Sequence, residues 1–225
     1  MIAAAAPKIE PPSAAALRLI ELFKALSARF GGDAEPLAEE SIQRLVELAR
    51  GGDRVARQRL YRQHVDRVFR TVRGVLSSDA DAEDVTQDAM LTVLTSLDRY
   101  SPRSDVRFVA WVTTIAINTA RRRFRRLRPE PTSSGELLDV PDDGADPERD
   151  VDAARQRAAL LAALAELDHR ERYIVSLRYG AELNAKEIAA LVGLEPANVR
   201  KILERARARL GERIEAALRN HGETT

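Results

Sequence analysis

Apolar residues recur along this chain at intervals of three and four, the spacing of one buried stripe on a helix. Ser13 is placed to cap a first helix running to about Phe30, with Leu19, Leu22, Phe23, Leu26 and Phe30 on one side and Gly31-Gly32 ending it. A helical block follows from Ser41 to Arg128. In it Asp53 starts a helix whose stripe is Leu60, Val65, Val68, Phe69, Val72 and Leu76. The segment S-S-D-A-D breaks that helix, and Asp81 or Asp79 caps the next, which turns Val85, Ala89, Val93, Leu94 and Leu97 inward. Beyond the loop R-Y-S-P-R-S-D, a third helix aligns Phe108, Trp111, Val112, Ile115 and Thr119.

The last patterned block spans about 153–220. Asp168 with Glu171, and Asn184 with Glu187, each place a cap three residues before a Glu, the spacing of a capping box. Gly180 and Gly193 stand where helix ends call for a left-handed residue, and Pro196 suits the first turn of a final helix.

Composition changes this picture mainly through charge. The net charge of +1 conceals a sharp segregation: six arginines lie between Arg121 and Arg128, whereas 129–152 holds nine acidic residues and one basic. With four prolines and two glycines, that acidic stretch reads as a flexible, solvated linker. The expected fold is therefore all-α. It comprises an N-terminal extension with one amphipathic helix (1–40), a first helical domain (41–128), the linker (129–152) and a second helical domain (153–220), with the two domains folding separately.

Several function classes fall away. The chain has no cysteine, so thiol chemistry and thiolate metal sites are excluded, and three scattered histidines offer no metal cluster. No nucleophile–base pair or phosphate-binding loop is evident, so neither enzyme activity nor a cofactor is expected. A calcium loop starting at Asp79 would put Asp84 where glycine is needed and Met90 where glutamate is needed. No stretch reaches the ~20 apolar residues of a membrane span, and the N-terminus lacks the basic start of a signal peptide, so a cytoplasmic protein is expected.

The remaining chemistry points to nucleic acid. In Asn184–Leu210, a short helix (Ala185–Val192) buries Ile188, Ala189 and Leu191, and a tight turn at Gly193-Leu194 leads to a second helix. That helix turns Val199, Leu203, Ala206 and part of Ile202 inward, and shows Arg200, Lys201, Glu204, Arg205 and Arg207 outward. A helix-turn-helix presents such a second helix to the ~12 Å major groove, its first residues at base edges and its arginines on phosphates. A basic helical hairpin with no DNA partner would show the same pattern.

The segment L-N-A-K-E-I-A-A-L-V-G-L-E-P-A-N-V-R-K-I-L-E-R-A-R-A-R-L resembles region 4 of the extracytoplasmic-function sigma factors. The match runs through Leu183, Glu187, Ile188, Ala189, Gly193, Val199, Leu203, Arg205, Ala206, Arg207 and Leu210. Independently, D-A-E-D-V-T-Q-D-A-M-L-T-V-L resembles that family's core-polymerase-binding helix, and R-F-V-A-W-V-T-T-I-A-I-N-T-A-R-R-R-F-R-R its −10-engaging helix. Two departures stand out: Arg122 occupies a position often acidic in the family, and Glu195 one where Ser or Thr often caps the recognition helix.

The resemblance implies a transcription initiation factor. It would bind core RNA polymerase (β′ and β subunits) with Asp84, Gln87 and Asp88, and read a −35 element with Arg200, Lys201, Glu204, Arg205 and Arg207. The −10 element would meet Arg121, Arg122, Arg123, Arg125 and Arg126, with Tyr100, Arg103 and Ser104 lining a pocket for an unstacked base. Asn118 either contacts the −10 strand or caps hydrogen bonds in the fold, and Trp111 is expected in the core. An anti-sigma factor is the implied third partner beside polymerase and promoter DNA. The rivals are a helix-turn-helix regulator that works without polymerase and a helical adaptor with no promoter contacts.

Overall fold

The computed structural model describes residues 14–26, 35–76, 78–102, 106–127 and 151–220. Most of the expected linker, together with Phe30, Gly31, Gly32, Arg103 and Ser104, lies outside the described residues. The helices are α1 (Ala14–Ala25), α2 (Glu39–Arg50), α3 (Arg54–Val75), α4 (Asp79–Thr95), α5 (Phe108–Leu127), α6 (Val151–Ala165), α7 (His169–Val175), α8 (Ala185–Val192) and α9 (Pro196–Asn220). A 3₁₀ turn, Leu97–Arg99, follows α4, and a π-helical turn, Ser176–Gly180, continues α7.

The first core lies among α2–α5. Leu60, Phe69, Val72, Val85, Ala89, Phe108 and Val112 are fully buried there, so the predicted stripes point inward. Caps set the helix starts: the Asp53 carboxylate accepts from the N–H groups of Val55 and Ala56 at 2.8 and 3.0 Å. The next helix departs from expectation. Ser78, not Asp81 or Asp79, caps α4 by accepting from the Asp81 N–H at 3.2 Å. Asp79 is thereby free to turn inward, where the guanidiniums of Arg73 and Arg157 both donate to it. Burial opposes its charge, but these two partners hold its carboxyl below the usual range.

Long-range caps complete this block. The Glu39 carboxylate accepts from the Phe108 N–H at 2.8 Å, so α2 seals the start of α5. Arg50 donates to the Leu97 carbonyl at 3.1 and 2.9 Å, and to that of Tyr100, closing the end of the 3₁₀ turn. Around Phe108 stand Tyr100 at 4.8 Å, Trp111 at 5.4 Å and His64 at 5.1 Å between ring centroids.

The second core unites α6–α9 with α1. Leu160, Leu164, Ile174, Leu177, Leu183, Ile188, Val199 and Leu210 fill it, and Leu19, Leu22, Phe23 and Leu26 of α1 close its side. It also takes in Val109, Ala110 and Ile117 from α5. The two blocks, expected to be independent, therefore pack on each other.

Their seam needs small residues. A Cβ on Gly180 would stand 2.8 Å from the Thr71 backbone, and one on Gly74 would stand 3.1 Å from both Ser176 Cβ and the Phe23 ring. Gly180 is thus required for close approach and not as the left-handed helix end that its sequence context suggests. The left-handed residue is Glu182, at φ 58°, and its carboxylate receives Arg67 at 3.3 Å and Arg70 at 3.2 Å. Arg107 completes the seam with a forked pair to Glu187, at 2.7 and 2.8 Å, and a bond to the Glu182 carbonyl at 2.9 Å.

His64 is fully buried, and neither ring nitrogen has a hydrogen-bond partner among the described residues. Burial, and then the nearby Arg67 charge, push it down from 6.5 to about 3. The unfolded chain therefore takes up a proton at a pH where the folded one does not. Its contribution to stability is complete above pH ~6.5 and is lost as pH falls toward ~3, by up to about 1.4 kcal/mol per pH unit. Replacing His64→Leu should flatten that slope relative to the parent and leave stability at pH 7 equal or higher. Chemical denaturation followed by circular dichroism between pH 7 and 4.5 measures both; parallel curves would show that His64 does not titrate in this way.

Candidate nucleic-acid interface

The α8–α9 pair has helix-turn-helix geometry, and its local causes are visible. Asn184 accepts from the N–H groups of Lys186 and Glu187, while Glu187 accepts from the Asn184 N–H at 2.8 Å, a reciprocal capping box. Gly193 ends α8 at φ 68°, the left-handed conformation that lets the chain turn into α9. Asp168 caps α7 by accepting from the Glu171 N–H at 2.8 Å.

On α9, Val199, Leu203, Ala206 and Leu210 are buried and Ile202 half-buried. Arg200, Lys201, Glu204 and Arg205 are exposed together over the helix's first turns. Arg207 separates from them: it is half-buried. Further along, Arg209 bonds to Glu171 at 2.7 Å.

On α5, Asn118 is exposed one turn before the arginine run. Arg121 lies 5.2 Å from the centroid of the Tyr173 ring on α7, and Arg122 donates to Thr119 Oγ1 at 3.4 Å. Arg123 reaches back to α4 and donates to Asp84 at 2.9 Å and Asp81 at 3.1 Å. Burial lowers its pKa, but these carboxylates outweigh that and raise it. Arg125 and Arg126 lie on the same helix, their side chains outside the described residues; Arg103 and Ser104 lie outside altogether.

The Tyr100 ring is buried in the aromatic cluster. It walls, with Trp111, Thr114, Glu187 and Leu191, a cavity of about 300 Å³ between α5 and α8. Trp111 is half-buried and so reaches both the core and this cavity.

On α4, Asp84, Gln87 and Asp88 are exposed on one face. Sequence reasoning did not single out Leu91, one turn on from Gln87 and 64 % exposed. Its departure from the Val85, Ala89, Val93 stripe was the available signal.

Comparison with known proteins decides what these surfaces belong to. The model for Sigma-70 region 2 matches residues 60–130, and that for Sigma-70, region 4, matches 163–212. RNA polymerase sigma factor CarQ of Myxococcus xanthus is 34 % identical over 170 residues, covering 74 % of this chain and 94 % of that protein. The chain belongs to the extracytoplasmic-function sigma factors. ECF RNA polymerase sigma factor BldN of Streptomyces coelicolor is 32 % identical over 176 residues, which span 76 % of this sigma factor and 66 % of BldN. Among solved structures, CnrH in complex with the cytosolic domain of CnrY matches with a TM-score of 0.53 at 26 % identity, over 76 % of this sigma factor and 96 % of CnrH. In sigma-factor terms, α4 and α5 lie in region 2, and the helix-turn-helix lies in region 4. Helix α1 precedes both matched regions.

Proposed function

We propose that this sigma factor binds core RNA polymerase through the exposed face of α4, engages the −10 element with α5 and reads the −35 element with α9. The observation that supports this best is that regions 2 and 4 occur in order in one chain, each with a charged face turned to solvent. On α4, Asp84, Gln87 and Asp88 surround Leu91, an apolar centre with a polar rim, the anatomy of a protein interface. Its acidic character favours a basic partner surface on the β′ subunit. On α9, Arg200, Lys201, Glu204 and Arg205 reach base edges, and Arg207, half-buried further along the helix, lies nearer the phosphates.

Strand capture at −10 falls to Asn118 and the α5 arginines, with Tyr100 and Trp111 on the preceding turn and the same helix. Melting is driven by the free energy of holding the unpaired strand, and no covalent step is required. The protein acts in the cytoplasm, where polymerase and promoters are. Since CnrH was solved with the cytosolic domain of CnrY, and a further relative in fold, RpoE of Bartonella quintana, with the anti-sigma factor NepR, an anti-sigma factor is a partner here too. A regulator independent of polymerase gains no support from these matches.

The test is transcription in vitro from a promoter library with purified core polymerase. Transcripts should start at defined sites that share upstream motifs, and only when the chain is present; DNA binding indifferent to core would overturn the reading. Two variants locate the surfaces. Asp88→Lys with Leu91→Ala should weaken core binding at least tenfold with helicity unchanged, since both side chains are exposed. Arg200→Ala should cost roughly 1–3 kcal/mol on the −35 element and relax preference at one base position. A uniform loss across all promoter variants would make Arg200 a phosphate contact instead.

A further inference from the structure

Helix α3 opens with an exposed face that lies outside the DNA-reading and core-binding surfaces. Arg54, Val55, Gln58, Arg59 and Arg62 are all exposed, and the helical repeat puts them on one side. Val55 is 59 % exposed. Leu48, 48 % exposed, stands near it at the α2–α3 corner, where the Asp53 N–H donates to the Leu48 carbonyl at 3.1 Å. Among the described residues, Arg54, Arg59 and Arg62 have no carboxylate partner.

This placement is locally unfavourable twice over. Arg54 sits in the first turn, at the positive end of the helix dipole, and no acidic residue shares that turn. Arg59 and Arg62, three positions apart on the same face, repel each other. Local rules broken at a surface, with no compensation inside the molecule, point to a partner that supplies it. That partner is anionic, with an apolar spot to meet Val55.

The chain itself carries such a surface. On α4, Asp84, Gln87, Asp88 and Leu91 are exposed on one face, and Asp84 stays 56 % exposed although it receives Arg123 at 2.9 Å. Laid antiparallel with Leu91 on Val55, the two faces match position by position. Along α4, Asp88 lies ~4.5 Å and Asp84 ~10.5 Å from Leu91; along α3, Arg59 lies ~6 Å and Arg62 ~10.5 Å from Val55. The pairs are Leu91 on Val55, Asp88 on Arg59 and Asp84 on Arg62, with Gln87 opposite Gln58. Handedness agrees as well. Seen from each helix's own N-terminus, Asp88 and Arg59 lie on the same side of their faces and the glutamines on the other. Antiparallel packing joins like sides. Within one molecule both faces are open to solvent, and α3 and α4 pack together through Val65, Val68, Val85 and Ala89. Only a second copy can bring the two faces together.

We propose that copies of this sigma factor associate through α3 of one and α4 of another, covering the face that takes core polymerase. The contact joins unlike surfaces and is therefore heterologous. It spans about two turns of each helix, small for a permanent dimer, so it is transient and dependent on concentration. Its charge pairs make it weaken as salt rises. The competition with core rests on the core-binding role proposed above; the self-association does not.

Sedimentation velocity of the full-length chain, with neither core nor DNA, should show mass rising above the monomer across the micromolar range. Raised salt should return it to the monomer. Arg59→Asp with Arg62→Asp should associate about tenfold more weakly or not at all, as should Asp88→Arg, because each sets like charges against each other. All three side chains are exposed, so helicity should not change. An equimolar mixture of the two variants should associate again, since one keeps the α4 face and the other the α3 face. That rescue separates pairing of these faces from a loss of fold. Register has its own readout, because the chain has no native thiol. A Val55→Cys copy mixed with a Leu91→Cys copy should cross-link on mild oxidation in preference to either with itself.

A monomer at every concentration would overturn the proposal, as would variants that fail to rescue each other. A monomeric parent whose Arg59→Asp, Arg62→Asp variant loses affinity for single-stranded DNA would assign the α3 face to phosphate instead. Core polymerase added to the associated parent should convert it to a one-to-one complex. Association that persists unchanged beside core would leave the self-pairing intact and remove α4 from the core interface, so the two readings fail separately.

Discussion

Helix α5 is apolar on two sides, and the architecture follows from burying both. Phe108, Val112, Ala116 and Ala120 enter the first core; Val109, Ala110 and Ile117 enter the second. A helix with one apolar stripe would have left region 2 complete in itself with a solvated outer face. Here the second side needs a cover, and region 4 with α1 supplies it. At roughly 25 cal/mol per Å² of apolar surface removed from water, a face of three side chains is a driving force of several kcal/mol before ordering costs are counted.

The charged groups of the seam modulate that apolar contact more than they create it. Arg70 is wholly buried and Arg73 nearly so, and each is bonded to a carboxylate. Taking such ions out of water costs about as much as their attraction returns, so the pairs favour one arrangement over others more than they add stability. Glu187 shows the economy of the design. Its carboxylate closes the α8 capping box and receives Arg107, and although burial opposes its charge, these bonds keep its pKa below the ordinary range.

What the sequence disclosed was whatever short-range rules determine. The limits of α8, the left-handed Gly193, the Asp53 and Asn184 caps and the core stripes all depend on residues within four or five positions of one another. What it concealed depends on distant partners. Asp79 reads as a cap until Arg157, 78 residues away, is seen to reach it. Gly180 reads as a helix end until Thr71 is found against it, and the bond from the Phe108 N–H to Glu39 joins residues 69 positions apart. The burial of the Tyr100 ring against Phe108 likewise joins residues that the local pattern does not link. The two-sided character of α5 was present in the sequence, but period counting records that a stripe exists and not how many faces a helix buries.

The π-helical turn at Ser176–Gly180 carries a different kind of constraint. A wide turn holds one residue more than the α-helix it extends, so everything after it is rotated by about a third of a turn. That offset is what aims Tyr179 at the core and Gly180 at Thr71. Substitutions there can be absorbed by side-chain adjustment, but removing a single residue would restore ordinary winding and swing Glu182 away from Arg67 and Arg70. The segment is therefore intolerant of changes in length, a counting constraint on insertions and deletions that no inspection of residue chemistry alone would reveal.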